Sequence, residues 1–251
     1  MMIDTKPHSL DVSRRSLLRT GIAVCGGIAV AGVAGACGDS SSSTSSASAT
    51  TTPVSNPDQA LTRLLDGNGR FVTGKLVHPG RDDVRRAEQA EGQTPFAVIV
   101  GCSDSRVPPE IIFDEGIGDL FPVRVAGNTA ADDIVVGSIE YAVAVLNCVL
   151  VLVLGHEECG AIKATIDLVT KGKQVPGHIS GVVQPIVPAV EAVKSTPADQ
   201  LLDAAIRENV RRTVAHLQSS TPILADAVQS GKLKVAGAEY ALHSGKVALV
   251  T

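Results

Sequence analysis

Two short motifs in the sequence combine residue types that can do chemistry. The first places Cys102, Asp104 and Arg106 two residues apart, so that a thiol, a carboxylate and a guanidinium alternate along the chain. The second places His156 and Cys159 three residues apart. Each motif directly follows a short apolar run that is typical of a buried strand. Because ligands bind at the carboxyl ends of the strands in open parallel sheets, we interpret the two motifs together, as parts of one site.

The donor set of these motifs suits zinc, a borderline-soft ion that favours sulfur and nitrogen ligands. Cys102, His156 and Cys159 supply three ligands, and a catalytic zinc site keeps its remaining position open for water or substrate. The spacing alone leaves three alternatives open. They are a structural zinc site whose fourth ligand is not recognised, a disulfide between Cys102 and Cys159, and a chance arrangement.

The carboxylate and the guanidinium of the first motif favour the catalytic interpretation. In an extended segment, alternate side chains point to the same side, so Cys102, Asp104 and Arg106 can share one face. Asp104 can ligate zinc or accept a hydrogen bond from a water on it. Arg106 can pair with this carboxylate through two hydrogen bonds and hold its pKa low. The alternative is a surface salt bridge that contributes little.

Apolar runs alternate with segments of helical spacing along the chain. The runs rich in Val and Ile predict strands at 96–100, 119–125, 149–154, 234–237 and 247–250. The helical spacing predicts helices at 58–72, 82–90, 134–146, 160–170, 203–217 and 223–229.

These elements predict an α/β fold, with a mostly parallel central sheet flanked by helices, because the strands are apolar on both faces. Gly67, Asn68 and Gly69 are expected to interrupt the first helix. Pro122 predicts an edge or irregular position for its strand, since proline cannot donate to a neighbouring strand. Gly245 and Lys246 predict a hairpin turn before the last strand.

The first 57 of the 251 residues do not have the pattern of a folded domain. Residues 1–37 carry Arg14 and Arg15 before a weakly apolar segment, the pattern of a twin-arginine export signal. Small residues precede Cys37, which resembles a lipoprotein cleavage site with Cys37 as the lipidated residue; ordinary signal cleavage is the alternative. A permanent membrane anchor is less favoured, because the 16-residue apolar segment falls short of the roughly 20 needed to span a bilayer.

Residues 38–57 are rich in Ser and Thr and predict a flexible linker, and 58–251 then form the zinc-dependent catalytic domain. The predicted location is outside the cytoplasm, in the periplasm or on the outer face of the cell membrane. Contact with the membrane is expected only through the signal or a lipid anchor.

The composition indicates a protein that acts on small molecules. Without residues 1–37 the chain carries 18 basic and 24 acidic side chains, a formal charge of −6. The chain has two Tyr, four Phe and no Trp, so it offers neither the basic surface nor the stacking side chains that nucleic acids require. Beyond the predicted signal it has three cysteines, an odd number that makes a poor disulfide framework. One of them, Cys148, lies in an apolar stretch and is expected to be a buried, inert thiol.

The sequence resembles the β-class carbonic anhydrases. The similarity rests on CSDSRVPPE, GDLFPVRVAGN, the IEYAV helix, VLVLGHEECGA and ENVRRTV, which follow one another in that order. The resemblance covers roughly residues 58–251, and the combination of Cys-x-Asp-x-Arg with His-x-x-Cys is far more specific than either motif alone.

The resemblance implies a role for each motif residue. Cys102, His156 and Cys159 would hold Zn²⁺, and Asp104 and Arg106 would form a pair in which Asp104 becomes a fourth zinc ligand only in a closed form. The backbone N–H of Gly160 would contact a substrate oxygen.

It also implies an activity, the reversible hydration of CO2 to bicarbonate and a proton by a zinc-bound hydroxide, and an assembly, a homodimer or a higher homo-oligomer. The alternatives are a CS2 or COS hydrolase of the same fold, a zinc scaffold without activity, and a redox thiol pair.

Overall fold

The computed structural model describes Val54 and residues 56–250. The predicted export signal, Cys37 and most of the predicted linker therefore lie outside the described residues. In the part of the chain that is described, no helix combines the length and the apolar character needed to cross a membrane.

Within the described residues, five strands form one sheet in the order β2-β1-β3-β4-β5. The first four strands in this order are parallel, and β5 pairs antiparallel with β4. The strands are β1 (Ala97–Gly101), β2 (Leu120–Arg124), β3 (Leu150–His156), β4 (Lys234–Tyr240) and β5 (Val247–Val250). The predicted α/β fold with a mostly parallel sheet is confirmed.

Helices connect and cover the strands. They are α1 (Pro57–Val72), α2 (Asp83–Ala90), α3 (Pro109–Ile112), α4 (Asp133–Ala144), α5 (Gly160–Lys171), α6 (Ile179–Val183), α7 (Val187–Val193), α8 (Leu201–Ser219) and α9 (Ile223–Gln229), with a 3-10 turn at Gln184–Ile186. The six predicted helices are all present. The helices α3, α6 and α7 and the 3-10 turn were not predicted, because these short segments lack a long apolar period.

The two central strands show why the sheet is covered on both faces. All side chains of β1 and β3 are buried. Ile99 and Leu152 pack into one apolar cluster with α1, while Val98 and Val151 pack into another with α4, α8 and α9. This alternation follows from the two-residue period of a strand, and it explains why the runs are apolar without a polar face.

Helix α1 is continuous, so the predicted interruption at Gly67–Gly69 is wrong. A Cβ at Gly67 would lie 1.8 Å from the carbonyl oxygen of Phe113, so the glycine allows the chain after α3 to approach the helix. Asn68 is buried, and its side chain bonds to the hairpin that joins β4 and β5: it donates to the carbonyl of Gly245 at 2.8 Å and accepts from the N–H of Val247 at 2.8 Å. Tertiary contacts thus account for residues that resemble a helix break.

Pro122 lies in β2, which is an edge strand of the sheet, as predicted. The turn around Gly245 and Lys246 also forms: the N–H of Ala241 donates to the carbonyl of Lys246 at 2.9 Å, and Gly245 has a φ of +72°. The two motifs with chemical side chains come at the carboxyl ends of β1 and β3, which are neighbours in the sheet.

Candidate metal centre

Three elements deliver the predicted metal ligands. Cys102 directly follows β1, and His156 is the last residue of β3. Cys159 is the N-cap residue of α5. Because β1 and β3 pair in parallel with Gly101 opposite Leu154, their carboxyl ends lie side by side. The predicted convergence of the two motifs is therefore confirmed.

The three side chains can contact one metal ion. The sulfur atoms of Cys102 and Cys159 and a ring nitrogen of His156 all lie within 4.8 Å of one another. All three residues are buried, His156 completely. Both cysteines are free thiols, so the alternative of a Cys102–Cys159 disulfide is wrong.

The hydrogen bonds of His156 leave one of its nitrogens available as a ligand. Its Nδ1 lies 2.7 Å from the carbonyl oxygen of Glu157, and since a carbonyl can only accept, Nδ1 carries the proton. In the neutral ring Nε2 then has a free lone pair. This buried atom has no hydrogen-bond partner among the described residues. A buried nitrogen without a partner costs stability, and a metal ion would satisfy it.

The pKa values of the two thiols are shifted in opposite directions. The pKa of Cys102 is lowered to about 4, chiefly because its thiolate accepts a hydrogen bond from Cys159, with smaller contributions from the neighbouring His156 and from the backbone N–H of Gly127. That N–H lies 3.4 Å from the Cys102 sulfur. The pKa of Cys159 is raised, because Cys159 is the donor to Cys102 and is buried. The pair therefore holds one proton between its two sulfurs, and a bound metal would replace that proton.

Asp104 pairs with Arg106 beside these ligands. Arg106 Nε and Nη2 donate to the two carboxylate oxygens of Asp104 at 2.9 and 2.7 Å, and the backbone N–H of Arg106 adds a third bond at 2.9 Å. These bonds from Arg106 hold the pKa of Asp104 well below its usual range. Asp104 Oδ2 lies 3.9 Å from His156 Nε2, so the carboxylate borders the space that a metal would occupy.

Arg124 orders the backbone of the first motif, a role that the sequence analysis did not assign. It comes from the end of β2 and donates to the carbonyl oxygens of Cys102 at 2.9 Å and Asp104 at 2.6 Å. The GDLFPVRVAGN segment, which contains Arg124, was the one sequence feature that could have indicated this role. An arginine in a strand does not by itself show which backbone groups it binds.

Gly160 is the first residue of α5, next to Cys159, and it is exposed. Nothing lies within 4 Å of the position that a Cβ would occupy there, so the backbone at this point faces open space. Cys148 precedes β3 and therefore lies at the opposite end of that strand from this group, although it is close to His156 in sequence. Cys148 is buried, as predicted.

Comparison with known proteins places this geometry in a family. The sequence pattern of the family described as Carbonic anhydrase matches residues 97–247, which include all of the residues above. The chain is 41% identical over 197 residues to a carbonic anhydrase of Mycolicibacterium smegmatis, covering 78% of this chain and 95% of that protein. It is also 41% identical to carbonic anhydrase 2 of Mycobacterium tuberculosis, with 78% and 94% covered.

The chain belongs to the carbonic anhydrase family.

Solved structures agree with the β class of this family. A Coccomyxa β-carbonic anhydrase is 27% identical, with a TM-score of 0.61, and the match covers 76% of this chain and 86% of that one. The β-carbonic anhydrase CcaA matches with a TM-score of 0.60 at 27% identity, covering 75% and 94%. The resemblance stated from the motifs is confirmed.

The residues present fit the zinc of a β-carbonic anhydrase. Two sulfurs and one nitrogen make the donor set that zinc prefers. The buried Nε2 of His156 has no hydrogen-bond partner among the described residues, so it is available to bind the metal. Among the described residues the donor group has three members, while Asp104 is engaged by Arg106. This arrangement leaves one position of a four-coordinate ion for water or substrate, as in catalytic rather than structural zinc sites.

Proposed function

We propose that this chain catalyses the reversible hydration of CO2 to bicarbonate and a proton, with Cys102, His156 and Cys159 as the zinc ligands. The observation that carries the proposal is the convergence of these three side chains within 4.8 Å, with the buried Nε2 of His156 unpartnered. Zinc, when bound, lowers the pKa of a water molecule toward neutrality and so supplies a nucleophile at working pH.

Asp104 has the role of orienting that nucleophile. Its carboxylate borders the metal position and stays ionised at neutral pH, since Arg106 holds its pKa low. An ionised carboxylate can only accept hydrogen bonds, so Asp104 would accept one from the nucleophile and orient a lone pair of its oxygen toward CO2.

Arg106 keeps Asp104 in this role. Its two side-chain bonds form a bidentate pair, which is stronger and more directional than a single bond. Asp104 would become a fourth metal ligand only after this pair breaks, which is the closed form of the enzyme. The described conformation supports the open form as the one that binds substrate.

Gly160 is the proposed donor to a substrate oxygen. As the first residue of α5, its N–H is one of the groups that the helix itself does not satisfy, and the helix dipole makes this end favourable for developing negative charge. Open space beside the residue leaves room for a small substrate.

The proposal is tested by zinc content and CO2 hydration measured on the same preparation. We expect one zinc per chain and stopped-flow CO2 hydration that disappears when a chelator removes the metal. A fully zinc-loaded protein without CO2 hydration would contradict the proposal. Sulfide release from COS or CS2, measured in parallel, would then identify the hydrolase alternative, and no turnover of any of these substrates would indicate a scaffold.

A second copy of the chain is the proposed partner. Helix α4 and its C-cap residue expose a stripe of large apolar side chains at helical spacing, Ile134, Tyr141 and Val145, with Ile134 79% exposed. The stripe lies on the helix that packs against the edge strand β2. Association of two copies through this face would bury the apolar stripe and cover the edge strand β2. Light scattering should give at least twice the mass of one chain, and Ile134→Glu should shift the mass toward the monomer.

Export and lipid anchoring are proposed for the N-terminal segment. The adjacent Arg14 and Arg15 and the small residues before Cys37 support a twin-arginine signal with a lipidation site. Cell fractionation should recover the mature protein outside the cytoplasm, and replacing both arginines by lysine should retain it inside. Mass spectrometry of the mature N-terminus should find a lipid on Cys37; an unmodified terminus elsewhere would indicate ordinary cleavage.

A further inference from the structure

Asn209 is a buried polar residue in the middle of α8. The side chain is only 3% exposed, on the helix face that packs against the sheet. The next residue, Val210, fixes how closely α8 approaches the sheet: a Cβ at Gly155 or Gly237 would come within 2.7 or 2.6 Å of its methyl groups. β3 and β4 thus carry glycine where α8 contacts them, and this close packing fixes the position of Asn209 relative to the sheet.

The Asn209 side chain reaches the loop that follows β2. Its Nδ2 donates to the carbonyl oxygen of Gly127 at 2.8 Å, across 82 positions of sequence. Gly127 lies in a turn closed by the N–H of Asn128 and the carbonyl of Val125 at 3.1 Å. Its φ of +80° at the third position is the value that a type II turn requires.

The other side of the same glycine faces the metal ligands. The N–H of Gly127 donates to the sulfur of Cys102 at 3.4 Å. A side chain here would be strained at the φ of +80°, and its Cβ would crowd Ile186 Cδ1 at 2.6 Å and the Cβ of Ala161 at 3.2 Å. Glycine also has the greatest backbone freedom of any residue. The Asn209 contact adds a restraint from outside the loop to the bond that closes the turn.

We propose that Asn209 is a positioning residue for the metal centre: by holding the carbonyl of Gly127, it aims the N–H of that residue at Cys102. Asn209 in α8 holds the peptide unit that follows the Gly127 Cα. The peptide unit that precedes this Cα carries the N–H that contacts Cys102, the proposed zinc ligand. The inference rests on the proposed role of Cys102 as a ligand. Partners that hydrogen-bond to metal ligands fix their orientation, and their loss typically weakens metal binding by about 10- to 100-fold.

Asn68 provides a matched control within the same chain. It is also a buried asparagine within a helix, 4% exposed, and its Nδ2 donates to two backbone carbonyls, those of Ile112 at 3.2 Å and Gly245 at 2.8 Å. Its contacts hold the β4–β5 hairpin, and none of them is to Cys102, His156 or Cys159. Loss of Asn68 should therefore lower stability without changing the zinc ligands.

The test compares Asn209→Ala with Asn68→Ala in the zinc-loaded full-length protein. Zinc release to excess chromogenic chelator should be at least about tenfold faster for Asn209→Ala than for the wild type, and within about twofold of wild type for Asn68→Ala. In the cobalt-substituted protein, the sulfur-to-cobalt charge-transfer band should shift in the Asn209 variant alone. Asn209→Ser, which keeps a shorter hydroxyl donor, should lie between wild type and Asn209→Ala in both measurements.

Two results would overturn the proposal. One is zinc release at the wild-type rate from the Asn209 variants, and the other is an equal acceleration in the Asn68 variant, which would reduce the effect to general stability. If an alanine variant does not fold, the pair Asn209→Ser and Asn68→Ser repeats the comparison with a smaller loss of packing. A wild-type protein that binds no zinc would instead refute the proposed function itself, so the two failures are distinguishable.

Discussion

The two ends of the parallel sheet each hold a buried thiol, but only one end supports metal chemistry. At the carboxyl end, Cys102 has its pKa lowered to about 4 by the hydrogen bond from Cys159. At the amino end, burial raises the pKa of Cys148 to about 12. The Cys148 thiol donates to the carbonyl oxygen of Pro95 at 3.2 Å, a contact that favours the neutral form.

The difference shows that hydrogen-bond donors, rather than burial alone, decide the direction in which the pKa of a thiol shifts. The carboxyl end supplies the N–H of Gly127 and the N-terminus of α5, which favour negative sulfur. The amino end offers a cavity of about 700 Å³ that Cys148 helps to line, yet neither a second thiol nor an imidazole is among the described residues around it. Cavity volume therefore does not locate the chemistry in this molecule.

The largest difference is expected when the thiol at each end of the sheet is replaced in turn by a hydroxyl. Cys102→Ser should lose bound zinc and all CO2 hydration above the uncatalysed rate, because a serine hydroxyl does not ionise at neutral pH to bind zinc. Cys148→Ser should keep both. Zinc per chain and stopped-flow hydration measure the two outcomes. Retention of zinc and activity by Cys102→Ser would remove the distinction between the two ends.

A smaller but still large effect should come from Asp104, which acts beside the metal rather than on it. Asp104→Asn should keep one zinc per chain and lower kcat/KM for CO2 by about 10²- to 10⁴-fold, the usual range for a residue that directs a proton. Asp167→Asn is the control, since this carboxylate forms an exposed pair with Lys171 at 2.7 Å. Its loss should leave the rate unchanged. Equal rates for the two variants would refute the role of Asp104.

Thiol labelling across pH would sharpen the comparison in the zinc-free protein. The lowered pKa favours the Cys102 thiolate at neutral and mildly acidic pH, whereas the raised pKa of Cys148 keeps that thiol neutral well into the alkaline range. Since only thiolates react with iodoacetamide, labelling at pH 6 should modify Cys102 and spare Cys148. Peptide mass spectrometry reads out both sites, and zinc should protect Cys102. Preferential labelling of Cys148 would contradict the lowered pKa of Cys102 and the raised pKa of Cys148.

The smallest effect is expected at the amino end. Cys148→Ala should lower the free energy of unfolding by about 1 kcal/mol, because it removes a buried sulfur and its weak bond to Pro95. Zinc content and CO2 hydration should not change. Urea titration gives the stability difference, and a loss of zinc in this variant would mean that the two ends of the sheet are coupled.

Residue patterns predicted most of the sheet and the long helices, because β1 and β3 are unbroken apolar runs and α8 has helical periodicity. They failed where tertiary contact overrode local preference. Gly67 and Asn68 have the composition of a helix break, but α1 continues through them because Phe113 and the β4–β5 hairpin pack there. Short helices such as α3 were missed, because four residues are too few to show a period.

The sequence by itself was enough to predict the candidate metal ligands. Cys102 and His156 stand at the ends of apolar runs, Cys159 follows three residues after His156, and two thiols with an imidazole are the donor set that zinc favours. Only the tertiary structure decided how those ligands are held. Arg124 binds the backbone of the first motif, and Asn209 reaches Gly127 from 82 residues away. Backbone carbonyls and N–H groups are the same in every residue, so no local pattern reveals which of them a distant side chain will bind.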